Sequence, residues 1–214
     1  MAASSFAGRA VLVTGAGNGI GKATALHLAA LGATVGVVDL RENFVAGTVA
    51  AIEQAGGTAI GLTRDLSVRE AMQDAVSSFA AEAGRLDGLV NNAAWVRYQP
   101  LAEITPETVE RMLNTGFKAI IWGMQAAAAA MAGPGAIVNW GGLARWTGVS
   151  ARASCRSGKE GSSFSVEKEA KRLLSVCAGI MRRCLIQTDR NFLVIFYKKE
   201  QPFLFQANGP AARI

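Results

Sequence analysis

Histidine is nearly missing from this chain: His27 is the single one in 214 residues. It falls inside the helical pattern of the first helix and reads as structural rather than catalytic. Cysteine is sparse too. Cys155, Cys177 and Cys184 have neither an even count nor metal-ligand spacing, so no metal site is expected and a reducing, cytoplasmic setting is favoured. Half of the residues are hydrophobic, yet no run approaches the ~20 apolar residues of a membrane span, much of that half being alanine. Met1 to Phe6 lacks a basic region followed by an apolar one, so no signal peptide is expected. Net charge is also missing from most of the chain. Residues 1–160 carry 13 Lys+Arg against 12 Asp+Glu, whereas residues 161–214 carry 9 against 4. Basicity belongs to the tail, and nucleic acid and membrane are not expected partners.

What is present is a turn of glycines, Thr14-Gly15-Ala16-Gly17-Asn18-Gly19-Ile20-Gly21, between a short apolar run at Arg9–Val13 and a helical pattern through Ala23, Thr24, Leu28 and Leu31. Glycine in a strand-to-helix turn allows φ > 0 and lets a phosphate approach without a Cβ in the way. The free N–H groups and positive dipole end of the helix then face that phosphate. A second strand, Thr34–Val38, ends at Asp39, about 20 residues on, where a dinucleotide fold places an acid for the ribose hydroxyls. An acid there repels a 2′-phosphate, which favours NAD(H) over NADP(H). The alternative is that Asp39 caps the helix that follows.

The chain goes on alternating. A helix over about Asn43–Gln54 stops at Gly56-Gly57, and strand three, Thr58–Thr63, leads to Asp65-Leu66. Ser67 and Glu70 have the spacing of a capping box for a helix to about Ala83. Strand four, Leu86–Val90, runs into Asn91-Asn92-Ala93-Ala94. Thr105-Pro106-Glu107 predicts a helix start, and the helical pattern continues through Val109, Met112, Leu113 and Phe117 to the alanines at 126–130. Small side chains there permit close approach of another helix. Ala136–Trp140 reads as strand five. Strands alternating with helices predict an α/β fold with a doubly wound parallel sheet in three α/β/α layers.

These motifs, in this order, resemble the short-chain dehydrogenase/reductase family: Thr14-Gly15-x-x-x-Gly19-Ile20-Gly21, Asp39, Asp65-Leu66, Asn91-Asn92-Ala93-Ala94, Asn114 and Ile137-Val138-Asn139. The resemblance covers roughly residues 8–161 and implies a Rossmann-like fold with NAD(H) along the carboxyl ends of the strands. It implies that Gly15, Asn18, Gly19, Ile20, Gly21 and Asp39 bind the cofactor, with Asp65 and Leu66 at the adenine and Asn92 and Ala93 under the rest. It further implies oxidoreductase chemistry on a small-molecule alcohol or ketone, carried by a tetrad of Asn, Ser, Tyr and Lys. Asn114 and Lys159 match the first and last. The Ser position is Gly142 and the Tyr position is Cys155, at the start of Cys155-Arg156-Ser157-Gly158-Lys159. A thiol has an ordinary pKa of about 8.5, lower than a phenol's, and a neighbouring Lys159 would lower it further, but a thiol lacks the phenol's reach. Geometry decides before acidity, and slow or absent hydride transfer is expected.

After Gly161 the alanine content drops, from 34 in the first 160 residues to 5 in the last 54. Residues 1–161 read as a dinucleotide-binding domain and 162–214 as a divergent basic segment that completes or flanks it, an atypical C-terminal part. One more strand is expected at Asn191–Tyr197, in the sixth position, while Phe203-Leu204-Phe205 has no obvious place. Three readings follow. The first is an altered oxidoreductase. The second is a pseudoenzyme that holds NAD(H) or pairs with a complete homologue. The third is a chain whose end is not family sequence, as a frameshift or altered splice produces. Helices at about 106–132 and 152–175 are the candidates for a homo-oligomer contact. Arg97, in the loop after strand four, meets an anionic substrate group or is simply solvated.

Overall fold

The computed structural model describes residues 6–140 and two later strands, 193–198 and 201–206. Its elements follow the alternation in the sequence. β1 (Ala10–Thr14), α1 (Gly19–Ala30), β2 (Thr34–Asp39), α2 (Glu42–Gln54), β3 (Thr58–Thr63), α3 (Arg69–Ala83) and β4 (Gly88–Asn91) come first. Then come α4 (Pro106–Leu113), α5 (Ala119–Ala130), β5 (Ala136–Trp140), β6 (Leu193–Lys198) and β7 (Gln201–Gln206). The seven strands lie in one sheet of order β3-β2-β1-β4-β5-β6-β7. The pairings from β3 across to β6 are parallel, and β7 runs antiparallel to β6 at the edge.

The central strands are apolar throughout because helices cover both of their faces. In β1, Val11 and Val13 point to one side with Leu28, Val45 and Ile52, while Ala10 and Leu12 point to the other with Met72, Val76 and Phe79. Alternation along one strand thus feeds two cores, one under α1 and α2 and one under α3 and α5. The second is closed by the alanine run: α5 packs on α3, with Ala127 fully buried. The sequence order breaks once, between β1 and β4. In an open α/β sheet that break opens a crevice at the carboxyl ends of the strands.

Two expectations need correction. No capping box forms at Ser67 and Glu70: α3 starts at Arg69 with Val68 as its cap and no side-chain bond. Instead the Ser67 N–H and hydroxyl both donate to Asp65 Oδ1, at 3.0 and 2.7 Å. The carboxylate two residues upstream is the stronger acceptor and takes Ser67 first. The helical pattern after Thr105-Pro106 does run on to the alanines, with one π-helical turn, Asn114–Lys118, between α4 and α5. Lastly, Phe203-Leu204-Phe205 does have a place, in β7, which pairs Phe203 with Phe196 and Phe205 with Val194. Pro202, which lacks an N–H, is accommodated on the edge strand of the sheet.

Opposite the crevice, the amino ends of β1 and β4 are tied by Asp87, whose side chain is 6% exposed. It accepts from Arg9 Nη1 at 2.8 Å, from the Ala10 N–H at 2.9 Å, and from Arg85 at 2.7 and 2.6 Å. Burial pushes this carboxyl up, but the bonds from Arg85, Ala10 and Arg9 more than offset it and hold it below its ordinary range. A depressed folded pKa means that the unfolded chain binds the extra proton. The stabilisation is therefore full above the ordinary value of about 4 and is lost as pH falls through the folded value. Asp87→Ala should cost about 3 kcal/mol at pH 7, the low end for a broken buried pair because both arginines reach water. Urea melts should show the wild-type advantage shrinking between pH 5 and pH 3; an advantage unchanged over that range would contradict this assignment.

Candidate dinucleotide site

The crevice is built from the carboxyl ends of β1, β2 and β4. Thr14, the last residue of β1, is buried and stitches two turns together. Its hydroxyl donates to Val90 O at 3.3 Å and accepts from the N–H groups of Asn92 and Ala93 at 2.9 and 3.0 Å. Asn92 answers with its Nδ2, which donates to Thr14 O and Gly15 O at 3.0 and 3.2 Å. The glycine turn and the Asn92-Ala93 segment are thereby one rigid unit, held at the switch point.

Only glycine fits most of that turn. A Cβ on Gly21 would lie 2.1 Å from Gly15 O, one on Gly15 would lie 2.9 Å from Ala93 Cα, and one on Gly17 would lie 2.5 Å from Phe44 Cβ. Gly19 is different. Its φ is +56°, but a Cβ there would meet nothing within 4 Å. Close packing on one side and open space at Gly19 make a cradle for a group that lies against backbone. Asn18 caps α1 beside it, accepting from the Gly19 N–H at 2.7 Å.

Asp39 does not cap α2, which starts at Glu42 with Arg41 as its cap and no side-chain bond. It turns back instead: Oδ2 accepts from the Gly17 N–H at 3.1 Å, and Oδ1 from the Arg41 N–H at 3.3 Å. Gly15, Asn18, Gly19, Ile20, Asp39, Asn92 and Ala93 line one cleft of about 360 Å³. A second, of about 520 Å³, shares Gly15, Asp39 and Ala93 and extends along Asp65 and Leu66 to Asn114 and Thr115. Every expected cofactor residue among the described ones lines these clefts, except Gly21, whose place is taken up by Gly15 O. Gly142, Cys155 and Lys159 lie outside the described residues, as does the expected helix at 152–175. Arg97 is exposed and does not line either cleft.

Two features were not anticipated. Asn114, which lines the larger cleft, opens the π-turn, a shift in helical spacing that often marks functional positions. Trp95 stacks on Arg111, with the guanidinium carbon 4.4 Å from the ring centroid, fastening the loop after β4 to the helical turn before Asn114. No sequence signal couples a loop tryptophan to one particular helix arginine. On the same wall, hydrogen bonds from Thr105 and from its own backbone hold the Glu107 carboxyl below its ordinary range.

The residues fit a dinucleotide. Backbone N–H groups at a helix start suit a diphosphate, and a carboxylate lining the same cleft suits vicinal hydroxyls. Among the described residues no group of His, Cys, Asp and Glu is placed to hold a metal ion, and no helix is long and apolar enough to cross a membrane.

Known proteins share this architecture. The sequence model of the family described as short chain dehydrogenase matches residues 9–173. D-erythrulose reductase of Gallus gallus is 36% identical over 174 residues, which cover 80% of this chain and 64% of the reductase. L-xylulose reductase of Mesocricetus auratus is 37% identical over 173 residues, covering 79% and 64%. Among solved structures, a short chain dehydrogenase from Burkholderia cenocepacia J2315 in complex with NADP has a TM-score of 0.62 at 33% identity, over 79% of this chain and 65% of that one. The chain thus spans just under two thirds of the length of these relatives. With the family's sequence pattern running across most of its length, on a sheet whose switch point carries the glycine turn, this chain belongs to the short chain dehydrogenase family.

Proposed function

We propose that the chain binds NAD(H) at the switch point, and that it serves alcohol–ketone interconversion at a rate held low by its own acid/base positions. One observation carries the cofactor half: the Asp39 carboxylate lines both clefts beside the glycine turn. A negative charge there favours ribose hydroxyls and repels a 2′-phosphate. The Burkholderia cenocepacia relative was solved with NADP, so the preference rests on Asp39 and not on the family.

In this reading Gly15, Asn18, Gly19 and Ile20 receive the diphosphate, Gly21 lets α1 pack against the Gly15 carbonyl, Asp65 and Leu66 take the adenine, and Asn92 and Ala93 the nicotinamide end. The bound nicotinamide supplies or accepts the hydride. Lys159 would hold its ribose, and Asn114 a water for proton relay. Cys155 stands where the proton donor belongs, and Gly142, with no side chain, polarises nothing. The reductases of D-erythrulose and L-xylulose among the relatives support a small hydroxylated ketone as substrate class. Gly142 and Cys155 also favour a second reading, a protein that holds NAD(H) without turnover, alone or beside a complete homologue.

Four tryptophans make the cofactor test direct. Titration followed by intrinsic fluorescence should saturate with NADH below millimolar concentration and require at least about tenfold more NADPH. Equal or tighter binding of NADPH would sink the assignment of Asp39.

A further inference from the structure

Thr48 sits in the middle of α2, outside every sequence motif of the site, and is 0% exposed. Its neighbours on the buried stripe of that helix are Val45, Val49 and Ile52, all packed into the core under α1 and α2. Valine has the right size for such a place, and a hydroxyl buried there needs a partner. Thr48 finds it outside its own helix. Oγ1 lies 3.2 Å from Ala16 O and 3.4 Å from Gly17 O, so one hydroxyl proton is shared between two carbonyls of the glycine turn.

The opposite sides of the same two residues are also engaged. The Ala16 N–H donates to Val38 O at 3.0 Å, and the Gly17 N–H donates to Asp39 Oδ2 at 3.1 Å. Both polar groups of Ala16 and both of Gly17 are thus taken up by β2 and α2. Neither Gly17 nor Thr48 lines the cleft, whereas Asn18 and Gly19, the next residues along, do. A glycine-rich turn is costly to order because it has more freedom to lose. Here that ordering is supplied by the protein before any ligand arrives.

We propose that Thr48 is a positioning residue for phosphate binding: its hydroxyl holds the Ala16 and Gly17 carbonyls on the buried side, away from an anion bound at Asn18, Gly19 and Ile20. This rests on the dinucleotide reading and adds a residue to it. Released, either carbonyl can swing toward the cleft and set an oxygen against a diphosphate. Adenosine, which has no phosphate, does not sense the difference.

The experiment titrates full-length wild type, Thr48→Val and Thr48→Ser with ADP and with adenosine, following binding calorimetrically and folding by circular dichroism. Thr48→Val should weaken ADP about tenfold, the loss of one buried hydrogen bond, and change adenosine less than about twofold. Thr48→Ser, which keeps the hydroxyl, should bring ADP back to within about twofold of wild type. Equal ADP affinity in Thr48→Val and wild type overturns the proposal, and so does a parallel loss of ADP and adenosine. Thr48→Ala gives the same comparison should Thr48→Val not fold. A wild type that binds neither ligand overturns the dinucleotide reading itself, and is distinguished from the other outcomes by that fact.

Discussion

Replacing Gly142 by Ser and Cys155 by Tyr in the same chain should raise NADH-dependent turnover of a small ketone by roughly two to four orders of magnitude, the usual contribution of a well-placed acid/base group. Proton transfer at the substrate oxygen needs a donor that reaches it, and a carbonyl that is polarised when the hydride arrives. In the proposed reading a cysteine at position 155 lacks the reach of a phenol, and Gly142 has no side chain to offer. Each single substitution repairs one half of the defect and should recover much less than the pair. NADH affinity should stay where it was, because neither position belongs to the glycine turn or to Asp39. A double variant that binds NADH normally and still shows no turnover would place the defect in the divergent region after Gly161.

Asp39→Ala should weaken NADH about 30-fold or more. It removes the proposed partner of the ribose hydroxyls and also the acceptor of the Gly17 and Arg41 N–H groups. Charge-assisted hydrogen bonds are roughly twice as strong as neutral ones, and two are lost together. Asp39→Asn separates the two roles. It keeps an oxygen for Gly17 while removing the charge, so NADH should weaken less than in the alanine variant and NADPH should gain. Fluorescence titration with both cofactors reads each change. An alanine variant with unaltered NADH affinity would remove Asp39 from the site.

Much of this was legible beforehand, for reasons that differ from element to element. Val11 to Val13 and Val35 to Val38 announced buried parallel strands because such strands are apolar on both faces. The glycine turn and Asp39 were readable because the chemistry fixes residue type and spacing together. What stayed hidden depends on contacts between segments far apart in sequence. The choice of Asp39 between capping α2 and reaching back to Gly17 is settled by where α1 and α2 pack, not by local pattern. Ser67 looked like a cap until Asp65 competed for it. The π-turn at Asn114 leaves no trace in a helical hydrophobic repeat. Thr48 did leave a trace, a polar residue on the apolar stripe of Val45, Val49 and Ile52, but its partners could not be named from spacing. Cys155, Gly142 and Lys159 rest on the family resemblance alone.

An intact dinucleotide site joined to an impaired acid/base site, as proposed, is tested in both halves on one preparation. NADH binding and NADH oxidation with a panel of small ketoses should be measured on the same full-length protein. Saturable NADH binding below millimolar concentration, with turnover at least about a hundredfold below the ~10 s⁻¹ typical of enzymes, is the predicted result. No binding at millimolar NADH, or turnover in the ordinary enzymatic range, would contradict it.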